Sequence, residues 1–110
     1  MSEAESSLLT EAMNRLWMKF LPQMAERVAT LERAAESAKN GRLDAAEKQA
    51  ASSDAHKLAG VLGTFGLQRG TELAREAETL YGGPLDGSAP LSARLLEIAR
   101  QLRLIVESRR

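Results

Sequence analysis

The amino-acid sequence predicts an all-α protein, an antiparallel four-helix bundle with an additional short N-terminal helix. Three observations carry that expectation. Alanine, leucine, glutamate and arginine dominate the 110 residues, valine and isoleucine are scarce, and only four residues are aromatic. Apolar residues recur at three- and four-residue steps through most of the chain. Glycine and proline fall between the periodic runs more often than inside them. The length suits a single domain, residues 1–110.

The elements follow in order. Leu9, Met13, Leu16 and Phe20 step by four, three and four, which predicts a first amphipathic helix over about 6–20. Trp17 and Phe20 are expected in the core or as cover of this helix, with docking of a partner protein as the lesser alternative. Pro22 fits the first turn of a new helix, where its missing N–H costs nothing, so a second helix is expected over 22–39. Its stripe is Leu21, Met24, Val28, Leu31, Ala35 and Ala38. Asn40-Gly41 follows a 3.6-period run and reads as a left-handed C-terminal cap. Asp44-Ala45-Ala46-Glu47 has the form of a capping box and opens a third helix, 44–65, which Gly66 stops. A fourth helix is expected over 67–81, with Leu73, Ala77, Leu80 and Tyr81 on its apolar side. A turn-rich stretch, residues 82–90, separates it from a last helix over 90–107 striped by Leu91, Leu95, Ile98, Leu102 and Ile105. The end, Glu107-Ser108-Arg109-Arg110, is plainly charged.

Charge and composition exclude several functions. Fifteen basic residues balance fifteen acidic ones, which argues against nucleic acid or an anionic membrane as the main partner. The absence of cysteine removes disulfides, thiol nucleophiles, Cys-zinc sites and iron–sulfur clusters. No apolar run approaches the ~18 residues of a membrane span, and the start, Met1-Ser2-Glu3-Ala4-Glu5, is acidic, unlike a signal peptide. The single histidine, His56, rules out metal sites that need two imidazoles, and no metal site is expected. A soluble, cytoplasmic domain with little catalytic equipment is the expectation.

The informative segment runs from Ser52 to Gly66. On a helical wheel Ala51, Ala55, Leu58, Leu62 and Phe65 form the core face. His56 falls on the other side, in line with Gln49, Ser52, Ser53, Gly60 and Gly63, so its imidazole should face outward among small neighbours. Gly60 and Gly63 each cost a helix about 0.8–1 kcal/mol relative to alanine. Packing of a solvent face does not call for them. They keep the surface beyond the imidazole bare, so that a bulky partner can come close; close helix–helix contact is the competing explanation. Asp54 stands two residues from His56 and points elsewhere on a helix.

His56-Lys57-Leu58-Ala59-Gly60, followed by Gly63-Thr64-Phe65-Gly66, resembles the histidine phosphotransfer (HPt) domains of two-component signalling, whose usual pattern is His-x-Leu/Ile-Lys-Gly. The Gly-Thr-Phe-Gly run is similar to the phosphotransfer domain of chemotaxis kinases. The resemblance extends over most of the chain, through the number of helices, the place of the histidine-bearing helix, and Glu78 and Leu80 on the next one. It implies that His56 accepts a phosphoryl group from a receiver-domain aspartate or a histidine kinase and passes it to a receiver. Such a carrier works as a monomer without cofactors of its own, Mg²⁺ coming from the receiver. It is a covalent intermediate carrier and not an enzyme. The task suits imidazole, whose ordinary pKa of about 6.5 leaves it largely neutral and nucleophilic at neutral pH.

The resemblance also assigns the neighbours. Lys57, Gly60, Gly63 and Glu78 would form the phosphohistidine environment, and Ser52, Ser53 and Ala59 would border the docking partner. Two readings stand for Glu78: a group that orients the ring through Nδ1, or a plain surface carboxylate. Lys57 is either a phosphate clamp or a solvated charge. One departure matters: the family lysine three residues after the histidine is Ala59 here. Lys57, Arg69 or Arg75 could stand in for it. A non-phosphorylated four-helix adaptor that keeps only the docking surface is the rival reading, and Ala59 is what favours it.

Overall fold

A computed structural model describes residues 2–109; Met1 and Arg110, the outermost residues of the acidic start and the charged end, lie outside them. Four helices follow one another: α1 (Glu3–Lys39), α2 (Ala45–Thr64), α3 (Gln68–Gly82) and α4 (Ala89–Ser108). Contacts join α1 to α2, α2 to α3, α3 to α4 and α4 back to α1, while the diagonal pairs stay apart. Short connections make each neighbour antiparallel, and the result is an up-down-up-down four-helix bundle.

The N-terminal region differs from the expectation of two helices, 6–20 and 22–39. A single helix, α1, runs straight through Pro22. A proline inside a helix costs about 3 kcal/mol or more, because it removes one backbone hydrogen bond and crowds the preceding turn. Trp17 lies before it and Met24, Val28 and Leu31 after it, all buried in one continuous face. Each large apolar side chain contributes about 1.5–3 kcal/mol on burial, so keeping these four in register outweighs the proline penalty. Pro22 itself is exposed.

The expected stripe of the first helix is likewise only partly a core stripe. Leu9 is 53% exposed, Leu8 beside it 64%, and Met13, Leu16 and Phe20 are half-buried. The reason is length: α1 outruns its neighbours. Trp17 already sits at the far end of the bundle, edge-on to Phe65 after α2 (ring centroids 5.0 Å apart) and beneath Arg109 after α4, whose guanidinium carbon lies 4.8 Å from its ring centre. The three turns before Met13 have nothing to pack on, and the molecule extends to 54 × 20 × 19 Å.

The helix ends obey the local chemistry. Gly41 (φ +66°) and Gly66 (φ +69°) are left-handed, as the C-cap role requires. After α1, Gly41 N–H donates to Ala38 O and Arg42 N–H to Ser37 O; after α2, Gly66 N–H donates to Gly63 O and Leu67 N–H to Leu62 O. Asp44 caps α2 by accepting from Glu47 N–H at 2.7 Å. The reciprocal half of the expected capping box is replaced: the Glu47 carboxylate accepts from Ser37 Oγ at 2.8 Å and ties α2 back to α1. Ser88 caps α4 through Leu91 N–H.

The core is formed by Trp17, Met24, Val28 and Leu31 of α1, Leu58 and Leu62 of α2, Leu73 and Tyr81 of α3, and Leu95, Ile98, Leu102 and Val106 of α4, with alanines between them. Two bidentate ion pairs staple its flanks. Arg94 of α4 holds Glu76 of α3, both bonds at 2.6 Å, and Arg103 of α4 holds Glu32 of α1 at 2.6 and 3.2 Å. The Arg94 hydrogen bond keeps the Glu76 carboxyl below the usual carboxylate range.

Candidate functional site

The face that matters is the outer surface of α2. Its inner face, Ala51, Ala55, Leu58 and Leu62, is buried, which fixes the rotation of the helix and turns His56 outward. The His56 side chain is 73% exposed. Its Nδ1 lies 2.8 Å from Oε2 of Glu78 on α3. An ionised carboxylate can only accept, so the proton of this bond resides on Nδ1 and the lone pair of the neutral ring is on Nε2. Glu78 thus stands within hydrogen-bond reach of the ring, while its side chain is 35% exposed.

Glu78 is positioned by the antiparallel packing of α2 on α3. Ser52 Oγ donates to the backbone carbonyl of Glu78 at 3.3 Å, and a Cβ on Gly82 would come within 3.4 Å of that same hydroxyl. Further along the pair, Gly63 faces Thr71, whose Oγ1 would lie 3.7 Å from a Cβ at position 63. The two interior glycines of α2 therefore differ. A Cβ at Gly60 would meet nothing within 4 Å, so Gly60 is bare surface, whereas Gly63 borders α3 in ordinary contact range.

On the opposite flank α2 and α1 enclose an open hollow of about 510 Å³. His56, Lys57, Gly60, Val61 and Thr64 line it from α2, Phe65 closes its end, and Phe20, Gln23 and Arg27 line it from α1. Thus His56, Lys57, Gly60 and Glu78 come together around one ring. Ser53 is exposed and Ser52 half-buried on the same helix. Ala59, expected at the docking surface, is instead 5% exposed and belongs to the core. Three residues after His56 the helix has turned far enough to face its neighbours, which leaves that position little room to meet a partner. Arg69, one of the possible substitutes for the family lysine, stands 3.7 Å from Glu72.

Gln23 and Arg27 of α1 are absent from the sequence expectations, which named only Phe20 on this edge. Their signal was available: folding the α1–α2 hairpin about residue 42 sets position 57 level with 27 and position 60 level with 24. Phe20, Gln23 and Arg27 then step by three and four along the α1 edge that faces the histidine helix. Splitting the chain at Pro22 obscured that edge.

No group of three or more His, Asp or Glu side chains among the described residues could hold a metal ion, and no helix among them is long and apolar enough to cross a membrane.

The site is thus one outward imidazole on a closed four-helix bundle, hydrogen-bonded at Nδ1 and largely exposed to solvent. The model of the Hpt domain family matches residues 15–109, nearly the whole chain, and the chain belongs to that family. Hpt domains are phosphocarriers of histidine phosphotransfer, working with receiver domains and kinases in phosphorelays. Among curated proteins the chain is similar to Protein RcaC of Microchaete diplosiphon, with 32% identity over 71 residues. That match covers 64% of this chain and 11% of the relative, so the chain spans only a small part of that protein's length. No solved structure matches the chain significantly.

Proposed function

We propose that this chain is a phosphorelay carrier in which His56 receives a phosphoryl group from a receiver aspartate or a histidine kinase and hands it to a receiver domain. The observation that carries this reading is the bond from His56 Nδ1 to Glu78, at 2.8 Å, with bare surface at Gly60 one turn away. Nε2 attacks phosphorus in line. With a receiver aspartate as donor, the N–P bond forms as the P–O bond to the donor carboxylate breaks, and that carboxylate leaves with the electron pair. The ring is then a cation whose Nδ1 proton rests against Glu78, and this partner stabilises the positive charge. In the onward step a receiver carboxylate oxygen attacks, the N–P bond breaks, and neutral imidazole is the leaving group. The acceptor carboxylate and its Mg²⁺ belong to the receiver, so this chain supplies a positioned nucleophile and a clear approach. Lys57, Gly60, Gly63 and Glu78 surround the phosphohistidine in this scheme, Ser52 and Ser53 border the docked partner, and the carrier acts as a cytoplasmic monomer.

Labelling tests it. The protein, incubated with phosphoramidate and separately with phosphorylated receiver domains, should take up an acid-labile, alkali-stable phosphoryl group. His56→Gln should take up none while its circular dichroism stays helical. Label retained in His56→Gln overturns the site. A wild-type chain that binds receivers yet takes no label from any donor is instead the adaptor, the reading that the alanine at position 59 favours.

A further inference from the structure

We infer that Arg27 of α1, acting with Lys57 of α2, supplies the positive charge that receives the phosphoryl group on His56, from the opposite side of the helix to the family lysine. This rests on the phosphocarrier reading above and specifies its chemistry. A phosphoryl group brings nearly two negative charges to a ring that stands in solvent, and its oxygens need donors. Position 59 cannot supply one, since it is a buried alanine.

The orientation of the ring decides which side can. Nδ1 is held toward α3 by Glu78. The two nitrogens lie on opposite flanks of the ring's C–H corner, so Nε2 is directed away from α3. The hollow between α1 and α2 lies on that side, and its only cationic lining residues are Arg27 and Lys57. Neither is engaged in an ion pair among the described residues, whereas Arg33, Arg69, Arg94, Arg100 and Arg103 all are. Arg27 is half-buried against the hollow, which limits the freedom it must lose to bind. Gln23 adds an amide on the same edge. A guanidinium also offers a planar fork of donors suited to a phosphoryl group. The competing cation is Arg75: the pairing of His56 with Glu78 and Gly63 with Thr71 sets it level with Ala59, but on the α3 side, behind the ring.

The experiment follows phosphoryl uptake from phosphoramidate by ³¹P NMR; Nε2 attacks phosphorus, the P–N bond breaks, and ammonia departs. Wild type, Arg27→Ala, Lys57→Ala, the double variant, Arg27→Lys and Arg75→Ala are compared. Each single alanine should slow uptake by about 3–10-fold and the double by ~10-fold or more, the scale of one or two charge-assisted hydrogen bonds in solvent. Arg27→Lys should recover most of the rate, and the gap between wild type and the double variant should narrow as salt is raised, which a structural effect would not do. Arg75→Ala should match wild type. A double variant as fast as wild type, or an Arg75→Ala loss equal to that of the double variant, overturns the assignment while leaving His56 as the acceptor. Wild type that takes no label overturns the carrier reading itself and this inference with it.

Discussion

Replacing Gly60 should make the protein more stable and less able to transfer. Gly60 lies inside α2, its φ is ordinary, and a Cβ there would meet no atom within 4 Å. Gly60→Ala therefore removes a helix penalty of about 0.8–1 kcal/mol without a clash. For a domain of this size that raises the melting temperature by roughly 3–6 °C. Leucine is nearly as good a helix former, so Gly60→Leu should be stabilised almost as much. Its effect on chemistry is the opposite. Side chains of a helix lean toward its N-terminus, so a leucine at position 60 lies back over His56, one turn earlier. In-line attack needs reacting atoms about 3–3.5 Å apart, and a displacement of ~1 Å can cost about 100-fold. Thermal melts by circular dichroism and phosphoryl transfer to a receiver domain measure the two effects on the same samples. A leucine variant that transfers at the wild-type rate would refute the claim that this surface is bare for a partner's sake. An alanine variant that melts lower would refute the claim that it is bare at all.

Three further outcomes are expected. Glu78→Ala should slow transfer by about tenfold and shift the His56 proton toward Nε2 in ¹⁵N NMR, while unfolding changes by no more than about 1 kcal/mol, because the imidazole is largely exposed and Glu78 partly so. Glu76, whose carboxyl is lowered by its hydrogen bond to Arg94, contributes stability that is complete above the ordinary value of 4.5 and is lost as pH falls through the lowered folded value. Glu76→Gln should therefore flatten the acid limb of a stability–pH curve below pH 4.5 and leave its shape near neutrality unchanged. Gly70→Ala should behave oppositely to Gly60→Ala. Its Cβ would lie 3.0 Å from Leu62 Cδ1 and 3.4 Å from Ile105 Cγ2, and overpacking of about 1–3 kcal/mol exceeds the helix gain, which a denaturant titration would show as a lowered midpoint.

Features decided within a turn or two of the helix were readable in the sequence. Asn40-Gly41 and Gly66 end their helices because a left-handed residue there satisfies the last carbonyls, a local demand. His56 faces out because the alanines and leucines of α2 define the inner face unaided. Features decided by a second element were not. Pro22 has the local chemistry of a helix start, yet the packing of Trp17 and Met24 in one face overrides it. Glu47 has the spacing of a capping-box partner, but Ser37 competes for its carboxylate. Ala59 follows the histidine closely in sequence and still turns inward, and Arg27, nearly thirty residues earlier, comes to the hollow only through the hairpin.

Phe65 belongs to two neighbourhoods at once: it walls the hollow beside the histidine, and its ring meets the edge of the chain's one indole. That indole is sealed from water, so its emission depends on what its neighbours do. A group settling into the hollow would contact the phenyl ring, which packs directly against the indole. If a partner docks over the hollow as proposed, the indole should act as a built-in fluorophore, and a change in its emission on adding a receiver domain would report association without a dye or a tag.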